Sequence, residues 1–91
     1  MLLVLYDIQS DRTRTQVSNF LKKFGRRVQY SVFEIRNSRR VIDNIKSEMD
    51  SNFAKKFTQG DSVLVYDVGD DSNILRFGYP KNEEYDLLLW D

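Results

Sequence analysis

Asp7 is the first side chain in this sequence that could do chemistry, and it closes an apolar run, Leu2–Tyr6. A carboxylate at the carboxyl end of a buried strand is costly to desolvate unless it is hydrogen-bonded, paired or bound to a cation. Two readings follow. Asp7 is either a ligand for a hard cation or a helix-leading acid that accepts hydrogen bonds from the backbone of the Ser10–Asp11 turn. The chain has no histidine and no cysteine. That excludes Ser-His and Cys-His nucleophilic pairs, disulfides, and Cys-based zinc or iron–sulfur centres. Any bound metal is then a hard, oxygen-ligated ion. One carboxylate is a thin site for Mg²⁺, and a two-fold axis would double it. Tyr66-Asp67-Val68 echoes Tyr6-Asp7-Ile8. In an antiparallel sheet with neighbouring strands, these two acids fall at opposite ends. Asp67 therefore reads as the same strand-end solution used twice rather than as a second catalytic carboxylate. Neither GxxxxGK[ST] nor GxGxxG occurs, which argues against nucleoside-triphosphate chemistry.

The second chemical set is cationic: Arg12, Arg14, Lys22, Lys23, Arg26 and Arg27. The 14 basic and 14 acidic residues cancel to a formal net charge of zero, but they are segregated. Residues 1–56 hold twelve basic and six acidic side chains, and residues 57–91 hold two and eight. Val17, Phe20, Leu21 and Phe24 recur at helical spacing after the N-cap candidates Ser10 and Asp11. They predict a helix over 11–24, ended by Gly25 in the left-handed conformation. Arg12, Lys22, Lys23 and Arg26 fall on the side opposite this stripe. That side reads either as a solvated face or as a surface for phosphate contacts.

Leu2–Tyr6 suits a central strand covered on both faces. Arg27–Ile35 has strand composition, with Val28, Tyr30 and Val32 on one face and Phe33 and Ile35 on the other. A second helix follows the cap candidates Asn37 and Ser38, with Val41, Ile42, Ile45, Met49 and Phe53 as its apolar side. Ser62–Val68 and Ile74–Tyr79 read as strands, and Leu87–Trp90 as a terminal strand that needs a sheet edge to dock on. The pattern is α/β (α+β), an open antiparallel sheet with two helices on one face, for which a ferredoxin-like arrangement is the commonest solution. That arrangement needs two strands between the helices, so either Arg27–Arg36 bends and serves as two or the topology differs. We divide the chain into a domain over 1–79 and an acidic C-terminal segment over 80–91. No apolar run approaches the ~20 residues of a membrane helix. The amino end lacks the basic region of a signal peptide, and a cytoplasmic location without a membrane partner is expected.

Val4-Leu5-Tyr6-Asp7-Ile8, then Arg12 and Arg14, then Gly25-Arg26-Arg27-Val28-Gln29-Tyr30-Ser31-Val32-Phe33-Glu34 carry a specific resemblance. The sequence resembles the small CRISPR-associated Cas-two family, whose members begin with an apolar strand ending in Tyr-Asp-Ile and continue to a "G-x-R-V-Q-x-S-V-F-E" strand. The resemblance implies a ferredoxin-like homodimer with the C-terminal strand added to the partner's sheet. It implies that Asp7 faces its twin across the dimer axis and shares Mg²⁺ or Mn²⁺ there, an ion that a purely structural role could dispense with. It places Arg12, Arg14 and Arg27 at positions where the family is often basic; together with Lys22, Lys23 and Arg26 of the basic helix side they are expected to contact nucleic acid, with Tyr6, Ser31 and Phe33 supporting the site structurally. Two functions are attached to the family. One is a scaffold that binds duplex prespacer DNA and bridges dimers of a large integrase subunit during spacer acquisition. The other is a metal-dependent endonuclease acting on single-stranded RNA or double-stranded DNA, with Asp7 as ligand. The sparse acid–base inventory favours the scaffold. Glu83, Glu84, Asp86, Leu87, Leu89 and Trp90 are expected to dock on the dimer partner or on the integrase.

Overall fold

The computed structural model describes residues 1–78. Its elements run β1 (Leu2–Asp7), α1 (Asp11–Leu21), β2 (Gly25–Gln29), β3 (Val32–Ile35), α2 (Arg39–Glu48) and β4 (Ser62–Asp67). The strands form one sheet in the order β2-β3-β1-β4, every neighbouring pair antiparallel. This is the βαββαβ ferredoxin-like arrangement. The single strand read over Arg27–Arg36 is two: it folds back at Tyr30-Ser31, placing Gln29 opposite Val32. Among the described residues, 74–78 form no strand, contrary to the strand read over Ile74–Tyr79. The 80–91 segment, with Glu83, Glu84, Asp86, Leu87, Leu89 and Trp90, lies outside the described residues.

The two faces of the sheet are unlike. Leu2, Val4 and Tyr6 of β1, with Phe33 and Ile35 of β3, pack against Val17 and Leu21 of α1, Ile45 of α2 and Phe53 beyond it. Strand alternation sends Leu3, Leu5 and Asp7 to the opposite face. Both helices begin with a serine cap: the Thr13 amide donates to Ser10 Oγ and the Val41 amide to Ser38 Oγ. The cap of α1 is thus Ser10, not Asp11.

The chain ends α1 differently from the sequence expectation. Its last helical residue is Leu21, and Gly25 has no positive φ. Gly25 instead opens β2 opposite Ile35, where a Cβ would come within 2.1 Å of the Glu34 carbonyl oxygen. Close approach of two backbones, rather than a left-handed cap, requires glycine there. After α2 the helix widens into a π-helical turn, Met49–Phe53, then a short 3₁₀ turn, Ala54–Lys56. Met49 and Phe53 reach the core through that turn. No helix among the described residues is long and apolar enough to cross a membrane.

Candidate functional site

Asp7 is exposed at the carboxyl end of β1, opposite Ser62. It accepts no hydrogen bond from any described residue, so the alternative in which it organises the Ser10–Asp11 turn is not realised. Asp61 does a comparable task instead. Its Oδ1 accepts from the Gln9 amide at 2.9 Å, and its Oδ2 from the Thr58 amide and hydroxyl at 2.8 and 3.0 Å. These donors, the Thr58 amide foremost and Gln9 next, hold the Asp61 carboxyl below its ordinary range. Asp61 thereby ties the loop after β1, two residues beyond Asp7, to the loop before β4.

Asp67 sits at the other end of β4, opposite Leu2. It accepts from Asn37 Nδ2 and from the Gly69 amide, both at 2.9 Å. It is a turn-forming acid, separated from Asp7 by the length of the strand. Among the described residues, no group of three or more acidic side chains could hold a metal ion. Asp7 fits as one hard oxygen ligand, and a single chain does not supply the rest.

The cations fall in four places rather than on one face. Arg14, Lys22 and Arg27 line a shallow pocket of about 190 Å³ together with Tyr6, Thr15, Ser18, Asn19 and Tyr30. Arg14 donates to the Ile8 carbonyl at 2.9 Å and pairs with Asp11, which raises its already high pKa. Arg27 donates to Ser18 Oγ, and its guanidinium stands 5.5 Å from the centre of the Phe33 ring. Both arginines are fixed before any ligand arrives, while Lys22 is exposed beside them. Arg12 is exposed on the first turn of α1.

Lys23 lies round the helix, in a groove of about 420 Å³ between α1 and the π-helical turn, lined also by Gln16, Asn19, Asn52 and Lys56. Lys56 Nζ donates to Gln16 Oε1 at 2.9 Å and sits 5.8 Å from the Phe53 ring centre. Arg26 is not on the helical surface at all. It belongs to β2, on the sheet face away from the helices, 3.7 Å from Glu34.

Tyr6, Ser31 and Phe33 meet beneath the first pocket. The Tyr6 amide donates to the Ser31 carbonyl at 3.1 Å, and the Tyr6 and Phe33 rings are 6.2 Å apart. The Tyr6 hydroxyl donates to the Tyr30 carbonyl at 3.4 Å. Tyr30 itself is 65% exposed at the rim. Sequence reasoning did not single out Ser18, Tyr30 or Lys56 as part of a binding surface. Ser18 could have been found, since it lies four residues from both Arg14 and Lys22 on α1. Lys56 reaches Gln16 across 40 residues and carries no local signal.

Comparison with known proteins bears on these surfaces. Residues 1–74 match the family described as CRISPR associated protein Cas2. The chain is similar to a CRISPR-associated endoribonuclease Cas2 of Thermus thermophilus. The two are 40% identical over 65 residues, covering 71% of this chain and 66% of the relative, just under two thirds of its length. It is similar also to the CRISPR-associated endonuclease Cas2 2 of another strain of Thermus thermophilus, at 31% identity over 88 residues and more than nine tenths of each chain. Among solved structures, a hypothetical protein from Thermus thermophilus superimposes with a TM-score of 0.73 at 27% identity, covering 89% of this chain and 93% of that one.

Proposed function

The chain belongs to the CRISPR-associated Cas2 family, and from that premise we propose that it acts as a homodimeric scaffold for duplex DNA during spacer acquisition. The observation that carries this reading is the pocket where Arg14 and Arg27 are held rigidly beside Lys22, Ser18 and Tyr30. Pre-oriented guanidiniums and hydroxyls suit phosphate oxygens, which position a duplex without reading its sequence. Through this surface the dimer would hold a prespacer duplex between two copies of the large integrase subunit.

Fluorescence anisotropy of a labelled duplex across a salt series tests the proposal. Binding should be indifferent to sequence, and its log–log salt slope should fall by about 0.9 for each phosphate that a substitution leaves unneutralised. Arg12→Gln with Lys22→Gln is the informative variant, because both side chains are exposed. A salt-independent affinity would overturn the DNA reading, and failure to capture the integrase in the presence of a duplex would overturn the bridging role.

One observation favours a second reading, a metal-dependent endonuclease: Asp7 is exposed and uncommitted at the end of a central strand. Relatives bear endoribonuclease and endonuclease names. In this reading Asp7 and its twin across a two-fold axis would be the protein ligands of Mg²⁺ or Mn²⁺. The ion, when bound, would act as a Lewis acid and lower the pKa of a water molecule. What the chain itself provides is a fixed corner: Asp61 holds the backbone at Gln9, and so limits where Asp7 can be.

A further inference from the structure

The groove between α1 and the π-helical turn carries a different chemistry from the phosphate pocket on the other side of the helix. Its volume of about 420 Å³ is that of a small-ligand site. Part of its lining is aromatic: the Phe20 and Phe53 ring centres stand 5.6 Å apart at 57°, and Phe20 is only half-buried. Around the rings lie the carboxamides of Gln16, Asn19 and Asn52 and the carboxylate of Glu48.

These polar groups are oriented but not used up. A π-helical turn is rare and recurs at functional sites. Here it sets the carboxylate, because Asn52 Nδ2 donates across the turn to Glu48 Oε2 at 3.1 Å. Glu48 Oε1 has no donor among the described residues. Gln16 is held by its Oε1, which accepts from Lys56 Nζ at 2.9 Å, and its amide nitrogen donates to no described residue. Neither Lys23 nor Lys56 pairs with an acid among the described residues, although Glu48 lines the same groove. The groove therefore combines fixed donors and acceptors, an aromatic surface and uncompensated positive charge.

Carboxamides and carboxylates read the edges of bases, aromatic rings stack unpaired bases, and lysine meets phosphate. In an intact duplex the base faces are already stacked, so a site of this composition suits an unpaired nucleotide. A carboxylate oxygen accepts and does not donate. Glu48 Oε1 thus favours a base with an exocyclic amine, such as cytosine, over uracil or thymine, which present a carbonyl oxygen at the same place.

We propose that this groove binds one unpaired nucleotide, its base against Phe20, the exocyclic amine of the base donating to Glu48 Oε1, and its phosphate on Lys23. The nucleotide arrives either free, as a mononucleotide, or as the unpaired end of a strand. The groove and the Arg14 pocket share only Asn19, so its occupancy does not depend on the duplex reading.

Titration of the isotope-labelled chain with CMP, UMP and cytidine, followed by NMR at the Asn52 side-chain amide, tests the site. CMP should bind at least about fivefold more tightly than UMP, the lower end of what one base-edge contact discriminates. Glu48→Gln turns an amide toward the base, which donates to the uracil oxygen, and should erase or reverse that preference. Lys23→Gln should weaken CMP and leave cytidine unchanged. Equal affinity for CMP and UMP in the wild-type chain, a preference that survives Glu48→Gln, or no shift at Asn52 with any nucleotide would each overturn the proposal. A duplex with one unpaired dC at a strand end, set against its blunt counterpart, separates the sources. Shifts with the unpaired dC and not with the blunt duplex support a strand end as the occupant, and shifts with CMP alone support a free mononucleotide. Shifts as large with the blunt duplex would overturn the site, because backbone contacts would then account for the groove. Blunt-duplex binding that leaves Asn52 unshifted keeps the scaffold reading intact whatever the nucleotides do.

Discussion

Asp61 and Asp7 flank the same corner of the sheet, and the physics of the two carboxylates differs. Asp61 accepts three hydrogen bonds, from the Thr58 amide and hydroxyl and from the Gln9 amide. These favour its ionised form and lower its pKa. A carboxyl whose folded pKa is depressed contributes stability above its unfolded pKa and loses it as pH falls through the folded value. Asp61→Ala should therefore lower the urea midpoint at neutral pH, and the difference from wild type should close in acid as the wild-type carboxyl protonates. A gap that persisted unchanged in acid would mean that Asp61 acts through packing rather than charge. Asp7 is exposed and accepts no hydrogen bond from the described residues, so Asp7→Asn should leave stability within about 0.5 kcal/mol of wild type. If the chain is a metal-dependent nuclease at this corner, the same variant abolishes Mg²⁺-dependent cleavage. Full cleavage by a folded Asp7→Asn protein would assign the activity elsewhere.

Among the elements, the β2–β3 hairpin carries the lesson of Gly25. A Cβ at this position would lie 2.1 Å from one backbone oxygen and 2.8 Å from an Ile35 side-chain carbon. Gly25→Ala should cost about 1–3 kcal/mol, as overpacking against atoms that cannot move aside. Asparagine separates close approach from a left-handed cap. A left-handed position tolerates asparagine, whereas at Gly25 the larger side chain should be at least as harmful as alanine, measured by thermal unfolding. Helix α1 was legible from its apolar stripe and Ser10, because both signals are local. The hairpin was ambiguous because Tyr30-Ser31 lacks the Gly, Asn or Asp that marks a tight turn. Arg12, exposed on the first turn of α1, was legible by helical period. Arg26 was not, because a register that began β2 at Gly25 took it off the helix and onto the far face of the sheet. Met49 and Phe53 continue the apolar side of α2 at a spacing of four. That spacing hides the π-helical turn in which they sit.

For the molecule as a whole, a net charge of zero conceals a surface with direction. The surplus of six basic residues in positions 1–56 is carried partly on the outer side of α1 and partly beyond it, where Lys56 shares a groove with Lys23. Arg14, Lys22 and Arg27 occupy a separate pocket. Asn19 lines both cavities, which makes α1 the ridge between them. A duplex bound only at the Arg14 pocket would not sense Lys56. One whose backbone crosses α1 would. Lys56 is also held by Gln16 Oε1 and the Phe53 ring, so it is already oriented, and Lys56→Gln removes one charge from an exposed side chain. If the phosphate track crosses the helix, that variant should lower the salt slope of duplex binding by about 0.9, the value for one phosphate neutralised. It should weaken all duplexes alike, since phosphate contacts carry no base information. An unchanged slope, with Lys22→Gln still lowering it, would confine the track to the pocket side of α1 and leave the Lys23–Lys56 groove outside the DNA surface.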